Sequence, residues 1–165
     1  MIYYLIASIL IAVAALFART KRAVLAAGIL FYAVQIAAAG LLLWGGLYDT
    51  TSAAFFTFDA LGTLFYLLLV VVSMYVFGHS EAYLQGEDLR SYRLYFALLM
   101  LLTTAIAGAY FANNLAVTWI FLEATTLCSA GIVYHRRTAQ ALEAAWKYVF
   151  VCSTGIAMAY LGILL

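Results

Sequence analysis

The apolar residues of this chain fall into six long stretches, and short segments between them hold most of the charged residues. A membrane-spanning helix needs about 20 predominantly apolar residues to cross about 30 Å of hydrocarbon. The pattern therefore predicts an all-α, polytopic membrane helix bundle with six transmembrane helices. The predicted spans cover approximately residues 2–18, 23–45, 59–78, 93–112, 114–134 and 143–165.

The composition supports a membrane protein. The chain has 165 residues, of which 68% are hydrophobic and 9% are charged, and it has no proline. Soluble domains are about 45–50% apolar and about 25% charged, so the composition excludes an ordinary globular domain. No repeat or soluble segment interrupts the pattern, and we therefore predict one membrane domain over residues 1–165.

The first apolar stretch does not look like a cleaved signal peptide. Signal peptides carry their positive charges before the apolar core and end in a small-residue cleavage site. Here Arg19, Lys21 and Arg22 follow the core, and a second span begins directly afterwards. We predict a helix that is retained in the membrane.

Positive charges predict the orientation of the bundle. They are found in the first, third and fifth connecting segments, and the second and fourth segments contain neither lysine nor arginine. Because basic loops stay on the cytoplasmic side, we predict that both chain ends face outward across the cell inner (cytoplasmic) membrane. The basic loop residues are Arg19, Lys21, Arg22, Arg90, Arg93, Arg136 and Arg137.

The segments that connect the spans allow three predictions of local structure. The aromatic run 54–58 in the second loop is compatible with a short external strand or hairpin, or with an interfacial aromatic patch. Asp59 is expected to cap the third span. Asn113 and Asn114 suit a tight turn between the fourth and fifth spans, because asparagine tolerates left-handed geometry and bonds its own backbone.

Glu123 is the main candidate for chemistry. It lies within the apolar stretch 114–134, about 16 Å from the cytoplasmic end at a rise of about 1.5 Å per residue. Ionisable groups at this depth are costly, and they usually face a bundle interior or a wet cavity. A neutral glutamic acid hydrogen-bonded to a neighbouring helix is the alternative to an ion path.

Lys147, in the sixth span, is the second candidate. It lies about 6 Å deep if its helix begins at Glu143, and about twice as deep if the helix begins near Thr138. A direct salt bridge to Glu123 requires the early start or an extended reach; otherwise water or a third group must connect them. Alternatively, Lys147 pairs with Glu143 at the favourable i, i+4 spacing or extends to cytoplasmic water.

Polar residues on the same helical faces could support a gated proton relay. Burial and attraction between opposite charges have opposing effects on the protonation of such groups, so a nearby charge can switch them. Thr126 shares the face of Glu123 and leaves room for water, and Thr154 shares the face of Lys147. Glu143, Thr126 and Thr154 are therefore predicted as supporting groups for Glu123 and Lys147.

No cofactor is expected on this chain. Cys128 and Cys152 fall inside predicted spans without a CxxC or zinc pattern, and buried cysteine usually behaves as a small hydrophobe. His79 and His135 lie at span ends, which disfavours a haem held at mid-membrane. The chain has no GxxxxGK[ST] or GxGxxG motif for nucleotide phosphates, and no nucleic acid partner is expected.

Three short runs resemble a known family. The run LEAAWKY at 142–148, followed by Ser153 and Gly155, resembles the sixth span of antiporter-like proton-pumping subunits. The run WIFLE at 119–123, with Ser129 further on, is similar to the fifth span, and FTFDAL at 56–61 to the segment that opens the third. These subunits occur in complex I, in Mrp-type cation/proton antiporters and in membrane-bound hydrogenases. Within the family, the F-type subunit of hydrogenase-4 complexes is the nearest match.

The resemblance implies roles and partners. Glu123 would be the fifth-span glutamate, which pairs with a lysine on a seventh helix, and Lys147 would be a lysine that tunes the same half-channel. The family has two inverted five-helix repeats, so this chain would be the N-terminal portion of such a subunit or a split subunit completed by another chain. Partners would be other membrane and peripheral subunits of a respiratory or hydrogenase complex.

The predicted function is proton translocation coupled to electron transfer that partner subunits perform, with no redox catalysis by this chain. One alternative is an Mrp-type Na⁺/H⁺ antiporter subunit. The other is a non-transporting structural or assembly subunit in which Glu123 is neutral and inert.

Overall fold

Six α-helices make up a computed structural model that describes residues 1–45 and 55–165. No β-strand occurs within these two ranges, and the prediction of an all-α polytopic membrane bundle is confirmed. In chain order the helices are α1 (Ile2–Phe17), α2 (Lys21–Leu43), α3 (Ala60–Tyr83), α4 (Leu89–Phe111), α5 (Leu115–Val133) and α6 (Ala139–Leu164).

Five of these helices, α2 to α6, are long and apolar enough to cross a membrane. The first helix is also apolar but has 16 residues, which gives it a length of about 24 Å. A helix shorter than the hydrocarbon thickness can be accommodated by local thinning of the bilayer. Helix α1 is therefore shorter than the other five helices but is apolar, as they are.

Helix α4 forms the centre of the bundle and packs against α1, α2, α3 and α5. Its buried residues include Phe96, Met100 and Phe111. One apolar cluster fills the half of the bundle around Phe31 and Phe96, and a second fills the half around Tyr66 and Phe111. By contrast, α6 packs mainly against α5, and most of its surface is exposed.

Side-chain caps fix where four helices begin. The Asp59 carboxylate accepts a 3.0 Å hydrogen bond from the Gly62 backbone N–H, which confirms the predicted cap of α3. Thr20, Asn114 and Thr138 cap α2, α5 and α6 in the same way. Since Thr138 caps α6, the sixth helix has the earlier of its two expected starts, before Glu143.

The second loop pairs with the turn between α4 and α5. Its residues 46–54, including the first residue of the aromatic run, lie outside the described part of the chain. Phe56 forms an isolated antiparallel bridge with Ala112, where the Thr57 N–H donates to Phe111 O at 2.8 Å. The described residues of the run therefore form a single bridge rather than a strand or hairpin. The Phe56 ring is buried and Phe55 is exposed, so an exposed aromatic patch describes only part of the run.

The turn between α4 and α5 does not use left-handed geometry. Among the described non-glycine residues, Arg137 alone has a positive φ, 54°. Asn114 is extended, and its side-chain oxygen accepts a 2.8 Å bond from Ala116 N. The left-handed geometry suggested for the asparagine pair is therefore not adopted, whereas the expected bond from asparagine to its own local backbone is observed.

Candidate functional site at the interface of α5 and α6

Glu123 lies near the middle of α5, about 12 Å from its first residue and about 15 Å from its last. Its side chain is half-buried between α5 and α6. The Ser153 hydroxyl, on α6, donates a 2.8 Å hydrogen bond to Glu123 Oε2. The carboxyl group therefore has one defined polar partner from the neighbouring helix.

Small residues let α5 and α6 approach each other on this face. Thr126 and Ala130, three and seven positions after Glu123, are the buried residues of α5. Ala145 is the buried residue of α6. The Thr126 hydroxyl donates to Leu122 O at 3.2 Å, within its own helix, and does not bond the carboxyl group. Glu123 thus lies on the packed face of α5. Thr126 packs on the same face as a small side chain and makes no hydrogen bond to the Glu123 carboxyl group.

Lys147 lies elsewhere. It is about 12 Å into α6, and its ammonium group pairs with the Glu143 carboxylate one turn earlier. The two side chains are 73% and 65% exposed, so they project from the outer surface of the bundle. Among the described residues, no ion pair joins Lys147 to Glu123. The i, i+4 pair, one of the two alternatives that the sequence left open, is the arrangement observed.

The face of α6 that carries Lys147 and Thr154 is its outer surface. Thr154 is exposed, as are Lys147 and Val151. Ser153, one residue away and therefore rotated by about 100° around the helix, is the α6 residue that contacts Glu123. Sequence reasoning identified Ser153 as part of a family motif and did not assign it to the site.

One side of Glu123 is closed by aromatic residues. Trp119 is one turn before Glu123 on α5, and its ring contacts Tyr160 of α6 with centroids 5.6 Å apart. The Trp119 indole N–H is buried without a hydrogen-bond partner in the described chain. On the other side, an open groove between α5 and α6 includes Leu127, one turn after Glu123, and Tyr134 at the end of α5. The groove begins one turn from Glu123, and Glu123 itself does not line it.

A second buried polar cluster was not predicted. The Tyr4 and Tyr66 hydroxyls donate to Gln35 Oε1 at 2.6 and 2.7 Å. Gln35 and Ser8 are completely buried, and Gln35 Nε2 and Ser8 Oγ have no hydrogen-bond partner among the described residues. The cluster joins α1, α2 and α3. A lone glutamine in an otherwise apolar span was the sequence signal that could have indicated it.

The described residues contain no group of three or more histidine, cysteine, aspartate or glutamate side chains that could hold a metal ion. Cys128 and Cys152 are free and half-buried. His135 is buried, its Nδ1 lies 2.7 Å from Ile132 O, and its ring contacts Tyr83 and Tyr95. His135 Nε2 is buried without a hydrogen-bond partner among the described residues.

Comparison with known proteins gives one informative match. No family model matches the chain, and no solved structure matches it. A hydrogenase-4 component F homolog from Methylacidiphilum infernorum (isolate V4) is 30% identical over 115 residues, which cover 66% of this chain and 24% of that protein. The chain thus spans about a quarter of the length of the curated relative it matches. The match supports the resemblance recognised in the sequence, and the chain is similar to part of a hydrogenase-4 component F homolog.

Proposed function

We propose that this chain is the N-terminal portion of a proton-translocating membrane subunit of a complex I-like or hydrogenase-4-like oxidoreductase. It would couple electron transfer in partner subunits to H⁺ movement across the cell inner membrane, with its N-terminus outward. The similarity to a hydrogenase-4 component F homolog supports the membership of such a complex. The observation that carries the proposal is the half-buried Glu123 carboxyl group at mid-depth, bonded to Ser153.

The Glu123–Ser153 contact has the chemistry that proton exchange needs. A serine hydroxyl is both a donor and an acceptor. It donates to an ionised carboxylate, and after rotation it accepts from a protonated carboxylic acid. Glu123 can therefore gain or lose a proton while Ser153 remains its partner. In this proposal Glu123 is the carboxyl group that changes charge.

Lys147 and Glu143 would act on the outer face of α6. An exposed ion pair on a membrane helix is costly in contact with hydrocarbon. The matched part of the hydrogenase-4 relative is 24% of that protein, so further helices are expected to pack against this face in a complete assembly. Lys147 would then be separated from Glu143 or held by it according to the charge that those helices present. In that setting the ammonium group would influence the protonation of Glu123 from a distance.

A non-transporting scaffold is the second candidate, and one observation favours it. No basic side chain contacts Glu123 among the described residues, so a neutral acid bonded to Ser153 satisfies the geometry equally well. In that case Glu123 would only help to join α5 to α6. The two candidates differ in whether the charge of residue 123 affects transport.

The test is Glu123→Gln in the complete complex, assayed for proton uptake by inverted membrane vesicles during electron transfer. Proton transfer by a positioned side chain typically contributes about a hundredfold or more, so proton uptake per electron should fall to near background. Glu81→Gln, which removes an exposed carboxylate at the end of α3, is the matched control and should pump normally. Normal pumping by Glu123→Gln, with the complex intact, would support the scaffold and contradict proton translocation through Glu123.

A further inference from the structure

The turn between α1 and α2 is joined to the beginning of α4. Arg93 Nη1 donates a 3.0 Å hydrogen bond to Ala18 O, and Lys21 Nζ donates a 2.8 Å bond to Glu87 O. The Lys21 ammonium also lies over the Tyr92 ring, 5.3 Å from its centroid. These contacts bring two segments that are about 70 residues apart in sequence onto one surface. We name this surface the basic turn; it consists of residues 18–22 and 87–93.

The basic turn has more positive than negative charge. Its carboxylates are Glu87, which is paired with Arg136 at 3.2 Å, and Asp88, and Glu81 lies nearby on α3. Arg19, Arg22 and Arg90 are exposed, and within the described chain they have no hydrogen bond or ion pair. Arg93 Nε is buried and also lacks a partner. The cations of the surface are Arg19, Lys21, Arg22, Arg90 and Arg93.

The position of the basic turn indicates its ligand. α1 ends at Phe17, α2 begins at Lys21 and α4 begins at Leu89, so the cations lie at or near the helix ends. In a membrane helix bundle the helix ends are expected at the depth of the lipid headgroups. Guanidinium groups match the geometry of phosphate oxygens and bind them in a bidentate manner. The Phe17 ring, 78% exposed, lies just inside this level, where the upper acyl chain of a lipid would contact it.

We propose that the basic turn is a binding site for the headgroup of an anionic phospholipid. Arg19, Arg22 and Arg90 bind the phosphodiester, and Lys21 and Arg93 hold the two segments at the spacing that lets one headgroup contact both. Basic loops in general orient a membrane protein through their charge alone. This site additionally requires the tertiary contact between the turn that joins α1 to α2 and the beginning of α4. It is independent of the proton-translocation proposal.

Native mass spectrometry of the full chain in detergent can measure the binding of dioleoylphosphatidylglycerol and of dioleoylphosphatidylcholine. The site variant is Arg19→Gln with Arg22→Gln. Each basic group near a membrane surface contributes about fivefold to the affinity for an anionic lipid, so this variant should bind phosphatidylglycerol about 25-fold more weakly. Phosphatidylcholine binding should not change.

A matched control removes two cations outside the basic turn, through Arg137→Gln with Lys147→Gln, and should lose clearly less affinity for phosphatidylglycerol than the site variant. Arg19→Lys with Arg22→Lys retains the charge and should recover most of the affinity, while circular dichroism verifies that each variant is folded. Equal losses in the site and control variants, or equal binding of the two lipids by the original chain, would overturn the proposal. Displacement of phosphatidylglycerol by millimolar inorganic phosphate would also overturn it, because the site would then recognise free phosphate.

Discussion

Ser153 on α6 donates a hydrogen bond of 2.8 Å to Oε2 of Glu123 on α5. The two residues are 30 positions apart in sequence, and this bond is the side-chain hydrogen bond observed between the two helices in the described structure. Because α6 packs mainly against α5, the bond is important both for the environment of the carboxyl group and for the attachment of α6.

Removing the Ser153 hydroxyl should weaken the attachment of α6. Ser153→Ala leaves the half-buried Glu123 carboxyl group without its donor, and we expect the free energy of unfolding to fall by about 1–2 kcal/mol. Denaturant titration in detergent micelles, followed by circular dichroism, measures the change. Thr154→Ala, at the adjacent exposed position, is the control and should differ from the original chain by less than about 0.5 kcal/mol. Similar values for the two variants would show that the bond contributes no stability.

The Gln35 cluster should behave as a coupled unit. Gln35→Leu removes the side-chain acceptor shared by the Tyr4 and Tyr66 hydroxyls, while Tyr66 keeps its 3.2 Å bond to the Gln35 backbone oxygen. The part-buried Tyr4 hydroxyl loses its acceptor, and such a loss destabilises a protein by about 1–3 kcal/mol. Replacing all three polar groups, with Tyr4→Phe and Tyr66→Phe added to Gln35→Leu, should recover much of the loss because neither tyrosine hydroxyl remains to be satisfied. Comparison of unfolding free energies across the single, double and triple variants checks this expectation. Strictly additive losses would contradict the coupling.

Close contact between α4 and α5 depends on Gly108. A Cβ atom at this position would lie 2.3 Å from Phe121 Cε1, and the Phe121 ring is backed by the Phe56 ring at 6.0 Å between centroids. Gly108→Ala should therefore force the two helices apart and lower stability by about 1–3 kcal/mol. Gly155→Ala is the matched control in α6, where a Cβ would meet no atom within 4 Å.

In the control, alanine is the better helix former, so Gly155→Ala should be neutral or more stable by up to about 1 kcal/mol in the same unfolding titration. A Gly108→Ala variant as stable as Gly155→Ala would show that the interface between α4 and α5 can adjust without cost.

Arg93 and Arg90 should differ in their structural roles despite being one turn apart. Arg93→Gln removes the bond to Ala18 O that joins the first turn to α4, and a charged donor of this kind contributes about 1.5–3 kcal/mol. Arg90 is exposed and has no partner in the described chain, so Arg90→Gln should change stability by less than about 0.5 kcal/mol. Thermal unfolding in a zwitterionic detergent, without anionic lipid, isolates this difference. Equal melting temperatures for the two variants would show that the hydrogen bond from Arg93 to Ala18 O does not stabilise the protein.

Local sequence patterns were sufficient for the helices and some of their ends. The Asp59 cap was predictable because a capping carboxylate accepts its hydrogen bond from the first turn of the helix that it precedes. The start of α6 was left open, since Thr138 and Glu143 both suit a first turn, and the Thr138 cap decides it. The sequence also left open whether Lys147 pairs with Glu143 or is linked to Glu123. The i, i+4 pair is local and needs no tertiary contact, and it is what forms.

The amino-acid sequence by itself determined that the chain forms an all-α membrane bundle, and it placed the Glu123 carboxyl group within an apolar span. It could do so because each membrane helix must satisfy its own backbone hydrogen bonds and match the thickness of the bilayer, and both requirements act within one segment. Only the tertiary structure decided that Ser153 rather than Lys147 contacts Glu123, and that Tyr4, Gln35 and Tyr66 meet. Successive residues differ by about 100° around a helix, so small rotations set by packing against neighbouring helices determine which polar side chains face each other.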